Sequence, residues 1–398
     1  MKNLLIKNAA VVFPERIKHS CSVLSINGKI ADCDFRGEPP ENTEIIDAEG
    51  NYLLPGFIDI HVHGGGGADF MDATPEAFET AVKAHLRHGT TTLVPTAMSA
   101  SEKDLTAFLT AFKDFRKNSK LGVLTPGVHL EGPYFSGASA KSGGAQPMNI
   151  LRLPDMNEVE RLLKAADGDI LRWDAAPELP GADEFARCMT DNGILCAIAH
   201  SNADSKEAQR GIDCGFSHVT HFYNAVTTYH KTGQTVYGGI VEAAYLNSGV
   251  TVELICDGKH IPRDILRLAL KIKGVNSVAA ITDAMRLSGT DMKLGKLGSL
   301  KNGTDVIVDD GVAKLPDMSS FAGSIATTDR CLKVLCLDYG ISLTDASVML
   351  SGTPARLSRL ESTKGKIQNG TDADMVLVNS EMEVISVISA GEIADKCR

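Results

Sequence analysis

The most constraining feature of this sequence is an alternation of apolar, β-rich runs with helix-like stretches between Pro55 and Ser358. This alternation is typical of βα units built around a parallel sheet. Eight candidate strands are predicted near Gly56–His61, Thr91–Pro95, Gly122–Leu130, Leu171–Ala175, Leu195–Ala199, His218–Thr220, Val250–Ile255 and Ser277–Ile281. Eight units in about 300 residues favour a (β/α)8 barrel over an open doubly wound sheet.

Helices are expected to follow several of these strands. The predicted helices are Thr74–His88, Glu102–Lys117, Asn157–Ala166, Ala203–Asp213 and Ile261–Ile272. A loop with its own hairpin, from about Leu294 to Leu315, interrupts the last unit. The fold class is therefore α/β, with one barrel domain over residues 55–358.

The two ends of the chain share a different pattern. The first 50 residues alternate short apolar runs with turn signals such as Asn27-Gly28, which is typical of hairpin strands. The last 35 residues have the same pattern, with apolar runs at 373–378 and 383–387. We therefore predict one small β domain built from both termini, residues 1–54 and 359–398.

Composition and charge exclude several classes of protein. Forty Lys and Arg against 50 Asp and Glu leave a net charge of −10, and no block of basic residues offers a surface for nucleic acid or an anionic membrane. No stretch reaches the roughly 18 apolar residues of a membrane helix. Nine cysteines, from Cys21 to Cys397 and without a Cys-x-x-Cys pair, suit free thiols in a reducing compartment, so a cytoplasmic protein is expected.

Metal-binding residue types recur where the predicted strands end. His61 and His63 end the first strand, Glu131 the third, His200 the fifth, His221 the sixth and Asp283 the eighth. Any one of these histidines, taken alone, is as well explained as a hydrogen-bonded structural residue. Together they predict a divalent metal site, because barrel chemistry sits at strand ends and because imidazole and carboxylate suit zinc and iron. Alternate residues of a strand point to the same side, which explains the His-x-His spacing.

Seven ordered motifs carry a family resemblance. Pro55–Gly64 resembles the opening of amidohydrolase-superfamily barrels, and His129-Leu130-Glu131-Gly132-Pro133 narrows the match. The other motifs are Ala199-His200-Ser201, His221-Phe222-Tyr223-Asn224-Ala225, Cys256-Asp257-Gly258-Lys259-His260, Thr282-Asp283-Ala284 and Ala322-Gly323-Ser324. With them, the sequence resembles N-acetylglucosamine-6-phosphate deacetylases over nearly its whole length.

The resemblance implies a β-sandwich built from both termini beside a metal-dependent barrel, in a homodimer. It implies that Glu131, His200 and His221 bind one metal ion, and that His61 and His63 allow a second. One or two ions per subunit are therefore expected, with zinc or iron as the candidates. The implied reaction is hydrolysis of the N-acetyl group of N-acetylglucosamine-6-phosphate to glucosamine-6-phosphate and acetate.

A neighbouring interpretation is a cyclic amidase similar to dihydroorotase or hydantoinase. Such an enzyme needs a lysine at the end of the fourth strand to carry a bridging carbamate. Here the segment from Leu171 to Glu178 contains no lysine. Glu131 offers a bridging carboxylate instead, which disfavours the cyclic amidase.

The mechanism expected for amide hydrolysis needs a carboxylate next to the metal. The metal lowers the pKa of a bound water from about 16 toward about 7 and polarises the amide carbonyl. The leaving nitrogen must also be protonated, so a carboxylate has to take the proton of the water and pass it on. Asp283 is the candidate, and the alternative for this residue is a helix cap or an ion-pair partner.

The resemblance also assigns substrate contacts. It gives His260 a contact with the substrate, Asn224 and the Ala225 N–H a place in a phosphate-binding turn, and Phe321 a place against the acetyl methyl group. The commonest family pattern has Gly-Ala-His after the third strand, where this sequence has Gly144-Ala145-Gln146. Gln146 is a neutral donor, so it would stabilise developing negative charge less than an imidazolium.

The largest departure from the family concerns the phosphate. Relatives contribute an Arg across the dimer from a His-Arg-Glu-Pro-Gly-like segment, which here reads Tyr229-His230-Lys231-Thr232-Gly233-Gln234. Lys231 takes the Arg position beside His230, and lysine binds phosphate as a point charge without the bidentate fork. Two other functions are compatible with the sequence: an amidohydrolase that deacylates another N-acyl sugar or amino acid, and a non-catalytic scaffold.

Overall fold

The computed structural model of the chain describes residues 3–136 and 144–396. These residues form two compact units. The first combines the described residues up to Ile60 with Lys83–Leu93 and with those from Thr327 onward; the second comprises His61–Val82 and Val94–Ala326. The domain boundaries expected from the sequence, at 54/55 and 358/359, stay a prediction.

The strands of the described residues are numbered here in chain order. They are β1 (Asn3–Phe13), β2 (Arg16–Ile26), β3 (Lys29–Asp32), β4 (Thr43–Asp47), β5 (Tyr52–Pro55), β6 (Phe57–Val62), β7 (Gly64–Gly65), β8 (Ala68–Asp69), β9 (Thr90–Ala97), β10 (Val128–Tyr134), β11 (Ile170–Ala175), β12 (Leu195–Ile198), β13 (His218–Val219), β14 (His230–Thr232), β15 (Thr235–Tyr237), β16 (Thr251–Ile255), β17 (Val278–Ile281), β18 (Leu294–Leu297), β19 (Thr304–Asp309), β20 (Val312–Lys314), β21 (Met375–Val378), β22 (Val384–Ser389) and β23 (Glu392–Lys396).

Strands from both termini form one eight-stranded sheet, as the sequence predicts. Its order is β23-β22-β21-β5-β1-β2-β3, with β4 parallel to β1. Asn27 and Gly28, at φ 51° and 78°, make the predicted tight turn between β2 and β3, because such turns need left-handed backbone at both positions. Apolar side chains from both ends share one core, in which Ile6, Val11 and Ile388 are fully buried.

The second eight-stranded sheet has the order β17-β16-β13-β12-β11-β10-β9-β6. The pairs from β9 to β17 are parallel, and a parallel bridge between Val62 and Ala284 brings the two edges together into the expected (β/α)8 barrel. The start predicted for the third strand is wrong, because Lys120–Leu124 form a 3-10 helix. A Cβ on Gly122 would lie 2.5 Å from the carbonyl oxygen of Arg116, so this turn is tight enough to require glycine.

The α-helices of the described residues are α1 (Pro75–Leu86), α2 (Glu102–Asn118), α3 (Met156–Ala166), α4 (Ala182–Asp191), α5 (Ser205–Cys214), α6 (Ile240–Leu246), α7 (Arg263–Lys273), α8 (Thr328–Lys333), α9 (Leu343–Ser347) and α10 (Thr353–Leu357). The five predicted helices are α1, α2, α3, α5 and α7, with ends that differ by a few residues. The hairpin predicted near Leu294–Leu315 is a three-stranded antiparallel sheet, β18-β19-β20.

The described residues bear on two further points raised by the sequence. None of their helices has the length and apolar character needed to cross a membrane. The eight cysteines between Cys21 and Cys336 are all free thiols. Cys397 lies outside the described residues.

Candidate metal centre and active site

The six predicted metal-site residues all lie on the barrel strands or directly after them. His61 is in β6, and His63 directly follows this strand. Glu131 is within β10, before the end of the strand at Tyr134. His200, His221 and Asp283 follow β12, β13 and β17 with φ values of 43°, 29° and 49°. Left-handed backbone is uncommon for such residues, and strained conformations of this kind cluster at functional sites.

The first donor group consists of Glu131, His200 and His221. Oε1 of Glu131 lies 3.0 Å from Nε2 of His200 and 3.1 Å from Nε2 of His221, and the two Nε2 atoms are 3.2 Å apart. Ligand atoms bound at about 2.0–2.1 Å to a tetrahedral ion are roughly 3.3 Å from one another. The three atoms therefore have the spacing of three ligands on one metal ion.

The second donor group consists of His61, His63 and Glu131, with Asp283 beside it. Nε2 of His61 and Nε2 of His63 are 3.3 Å apart, and Nε2 of His63 lies 3.5 Å from Oε2 of Glu131. Oδ1 of Asp283 is 3.6 Å from the His61 nitrogen and 3.3 Å from the His63 nitrogen. Glu131 thus belongs to both groups: its Oε1 faces His200 and His221 and lies 3.9 Å from Nε2 of His61, and its Oε2 faces His63.

Electrostatics also fit a divalent cation. Burial raises the pKa of Glu131 and of Asp283, but the adjoining imidazoles outweigh it and hold both carboxyl groups below their usual pKa. Burial lowers the pKa of His221 and of His63; the hydrogen bonds to Glu131 and Asp283 outweigh it and raise both to about 9. A divalent cation would replace the extra protons of His221 and His63 and carries the same total charge. Metal binding to histidine requires the loss of such protons.

Partner groups fix the orientation of two ligands. Nδ1 of His221 donates to the carbonyl of Asn224 at 3.0 Å, so Nε2, which faces Glu131, is the ring nitrogen left to bind a metal ion once its proton is lost. Nδ1 of His61 lies 2.7 Å from Oε1 of Glu253. Nδ1 of His63 is buried and has no hydrogen-bond partner among the described residues. Ligating histidines normally have such a partner on the second ring nitrogen.

The two donor groups open into one cavity of about 210 Å³. Five of the seven predicted substrate residues line it, namely Gln146, Asn224, Ala225, His260 and Phe321. The other two, His230 and Lys231, lie on β14, whose residues are exposed. The small-residue segment before Gly144 falls largely outside the described residues.

The hydrogen bonds of three lining residues, His260, Asn224 and Gln146, bear on what each of them could contact. Nδ1 of His260 lies 2.7 Å from Oδ2 of Asp257, and its ring centroid is 4.8 Å from that of Phe321. Nδ2 of Asn224 is buried without a partner among the described residues. The Gln146 side chain donates to Oε2 of Glu131 at 2.7 Å and accepts from the Ser99 N–H at 3.2 Å, so it contacts a predicted metal ligand directly.

Sequence reasoning missed Glu253, which lies in the middle of β16. Its side chain is fully buried, and it contacts His61 and Arg172. One signal was present: a carboxylate in an otherwise apolar strand, Val250–Ile255, has no place in a core without a partner.

A parallel barrel with two histidine and carboxylate donor groups at its strand ends defines a metal-dependent barrel hydrolase. The amidohydrolase family model matches residues 52–394. Among similar proteins, N-acetylglucosamine-6-phosphate deacetylase of Bacillus subtilis (strain 168) is 32% identical over 397 residues, which cover 99% of this chain and 97% of that protein. The chain belongs to the amidohydrolase family and, within it, to the N-acetylglucosamine-6-phosphate deacetylases.

Solved structures agree with this assignment. N-acetylglucosamine-6-phosphate deacetylase from Pasteurella multocida superposes with a TM-score of 0.90 at 25% identity and covers 99% of this chain and 100% of that one. An aspartate-to-alanine variant of the Mycobacterium smegmatis deacetylase, in complex with N-acetyl-D-glucosamine-6-phosphate, has a TM-score of 0.89 at 28% identity and covers 99% of this chain and 100% of that one.

Proposed function

We propose that this protein hydrolyses the N-acetyl group of N-acetylglucosamine-6-phosphate, releasing acetate and glucosamine-6-phosphate. The observation that carries the proposal is the pair of donor groups that share Glu131, with Asp283 beside them, in a chain that matches deacetylases of this name over nearly its full length. Neither a cyclic amidase nor a scaffold without activity has a comparable observation in its favour.

One ion is assigned to Glu131, His200 and His221. A second ion is assigned to His61 and His63 together with Glu131. Zinc or iron suits this imidazole and carboxylate set. A bound divalent metal activates the attacking water and polarises the amide carbonyl. The chain holds His221 in place through the Asn224 carbonyl, which accepts the hydrogen of its Nδ1.

Asp283 is assigned to the proton transfers. Its carboxyl pKa lies below the usual value, because the hydrogen bond from His63 and the nearby imidazole charges outweigh burial. The carboxylate is therefore ionised at neutral pH and can accept the proton of the attacking water. The same proton then goes to the amide nitrogen, so that the amine leaves without a negative charge.

The remaining lining residues are assigned to the sugar phosphate. Donors for the phosphate oxygens are the Asn224 amide, which has no partner among the described residues, and the Ala225 N–H. His260, whose Nδ1 contacts Asp257, presents its other ring nitrogen to a hydroxyl or carbonyl of the substrate. Phe321 gives an apolar surface for the acetyl methyl group. Gln146 already donates one N–H to Glu131 and has one more N–H to offer the substrate carbonyl, so its substrate role is the least supported of these assignments.

A homodimer is proposed because Lys231, the cation of the phosphate motif, does not line the cavity of its own chain. Lys231 and His230 stand on the exposed hairpin β14–β15, next to exposed Tyr229 and Val236. A second copy that covers these apolar side chains would receive Lys231 at its phosphate end. A cytoplasmic location and the two-domain division at 54/55 and 358/359 complete the proposal.

Lys231→Ala is expected to raise KM for the 6-phosphate sugar about tenfold with little change in kcat. The physical reason is that a charge remote from the amide holds substrate and transition state equally, and a charge-assisted hydrogen bond contributes about 1.5 kcal/mol or more. Steady-state kinetics measure both constants. Lys301→Ala, a change of the same type elsewhere in the barrel unit, is the matched control and should leave KM unaltered. A lower kcat with unchanged KM in Lys231→Ala would contradict this assignment.

The proposed substrate is tested by acetate release from a panel. The panel contains N-acetylglucosamine, N-acetylgalactosamine and their 6-phosphates, together with N-acetyl amino acids, each offered to the metal-loaded protein. The proposal predicts the highest kcat/KM for N-acetylglucosamine-6-phosphate. A higher value for an unphosphorylated sugar or an amino acid would favour the general deacylase instead.

A further inference from the structure

The barrel encloses a group of buried charges that the proposed reaction does not use. This interior charge cluster consists of Arg172, Asp174 and Glu253, each at most 3% exposed. Nη2 of Arg172 donates to Oε1 of Glu253 at 2.9 Å, and Nη1 bonds to the other oxygen. Nε of Arg172 donates to Oδ1 of Asp174 at 2.9 Å. One guanidinium thus holds two carboxylates that water does not reach.

Stability alone does not account for such a cluster. Desolvating one cation and two anions is costly, and replacing buried ion groups by apolar residues of similar volume is often neutral or stabilising. Val252 and Leu254, the neighbours of Glu253 on the same strand, are buried and apolar, and side-chain alternation points them to the opposite face from Glu253. A specific task for at least one of the charges is therefore the better explanation.

Glu253 contacts the metal-site residues and Asp174 does not contact them. Oε1 of Glu253 lies 2.7 Å from Nδ1 of His61 and also accepts the backbone N–H of His221 at 3.2 Å. The oxygens of Asp174 are occupied by Arg172, by the Thr220 hydroxyl at 2.7 Å and by His129 at 2.9 Å. The two carboxylates are equally buried and share the same guanidinium, but they face different groups.

We propose that Glu253, held by Arg172, is the positioning residue for the second metal ion. By accepting the Nδ1 proton of His61, it turns the Nε2 lone pair of that ring toward His63 and Glu131. This inference rests on the metal assignment of the proposed function but not on the identity of the substrate. His63 has no such partner among the described residues, so the second ion depends on Glu253 more than the first ion does.

Glu253→Gln tests the proposal through metal binding, without substrate. A glutamine keeps the length of the side chain, but its NH2 group must face a donor, either Nη1 of Arg172 or Nδ1 of His61, because these two donors face different oxygens of Glu253. Zinc titration of the chelator-stripped protein against a competing dye gives the dissociation constant of each ion. We expect the second ion to bind about 10–100-fold more weakly, as for other partners of ligating histidines, and the first to change less than about threefold.

Asp174→Asn is the matched control, since it removes an equally buried charge from the same arginine. It should leave both affinities within about threefold. The His61→Ala/His63→Ala double variant gives the one-ion reference. Equal weakening in Glu253→Gln and Asp174→Asn would show a merely structural role and overturn the proposal, and so would an unmodified protein that binds only one ion.

A second measurement covers failure of the variants to fold. In the metal-loaded, unmodified protein with ¹⁵N-labelled histidine, His61 should carry its proton on Nδ1, and the His61→Ala/His63→Ala spectrum helps to assign it. A proton on Nε2 of His61 would overturn the proposal. Acetate release is measured separately, so a protein with two ions and no deacetylase activity would contradict the proposed function and leave this inference standing.

Discussion

Asp283→Asn is expected to lower kcat for deacetylation about a hundredfold or more while the protein stays folded and keeps its metal. Asparagine has the shape of the aspartate but cannot take up and release a proton, and general acid–base catalysis contributes about 10²–10⁴-fold. The expected loss therefore falls on the chemical step rather than on substrate binding. Steady-state kinetics of the purified variant measure it.

The control for this prediction is metal content, because Oδ1 of Asp283 also lies 3.3 Å from a nitrogen of the second donor group. Elemental analysis should give the same number of ions in the variant and the parent. A variant with full metal content and a kcat within about threefold of the parent would show that another group transfers the proton.

His200→Ala is expected to lose metal and activity together, with a fall in kcat/KM of more than about a hundredfold. Removal of one of three protein ligands leaves the first ion with an incomplete coordination sphere. The affinity for this ion should therefore fall by more than the about 10–100-fold that follows loss of a supporting partner. Elemental analysis and the deacetylation assay are run on the same preparation, so that the two losses can be compared directly.

His218→Ala is the matched control for that variant. His218 is buried like His200, but its Nδ1 contacts the Thr251 hydroxyl at 2.8 Å and its Nε2 lies 3.4 Å from Oε2 of Glu253, so it belongs to the surroundings of the second ion and not of the first. This variant should keep the ion held by Glu131 and His221. Full activity of a His200→Ala preparation that contains no metal would contradict the metal assignment.

Most of the barrel was predictable because each strand is buried on both sides and therefore appears as a continuous apolar run. The run Val250–Ile255 and the strand Thr251–Ile255 differ by one residue. Helix α4 was not predictable in the same way, because Pro177 and Pro180 precede it and its cap, Gly181, makes no side-chain hydrogen bond. Helix α8 continues into a π-helix at Val334–Asp338, and another π-helix at Val348–Gly352 joins α9 to α10, so these stretches depart from the 3.6-residue period that reveals a helix in sequence.

The metal-site residues were found because strand ends are visible in the sequence and those of a barrel meet at one rim. The contacts that support these residues were not predictable, because Arg172 and Glu253 are 81 positions apart and meet only in the closed barrel. The position of Gln146 against Glu131 likewise depends on how a loop folds back, which no local pattern records. The sequence thus predicted which residues come together in the two donor groups better than which residues orient them.

The most direct test of the account is a comparison of kcat/KM for N-acetylglucosamine-6-phosphate and for N-acetylglucosamine, on protein whose metal content has been counted. The account predicts metal-dependent acetate release, abolished by a chelator and restored by a divalent ion, with a clear preference for the phosphorylated sugar. Equal kcat/KM for the two sugars would contradict the substrate assignment, and undiminished release from metal-free protein would contradict the mechanism.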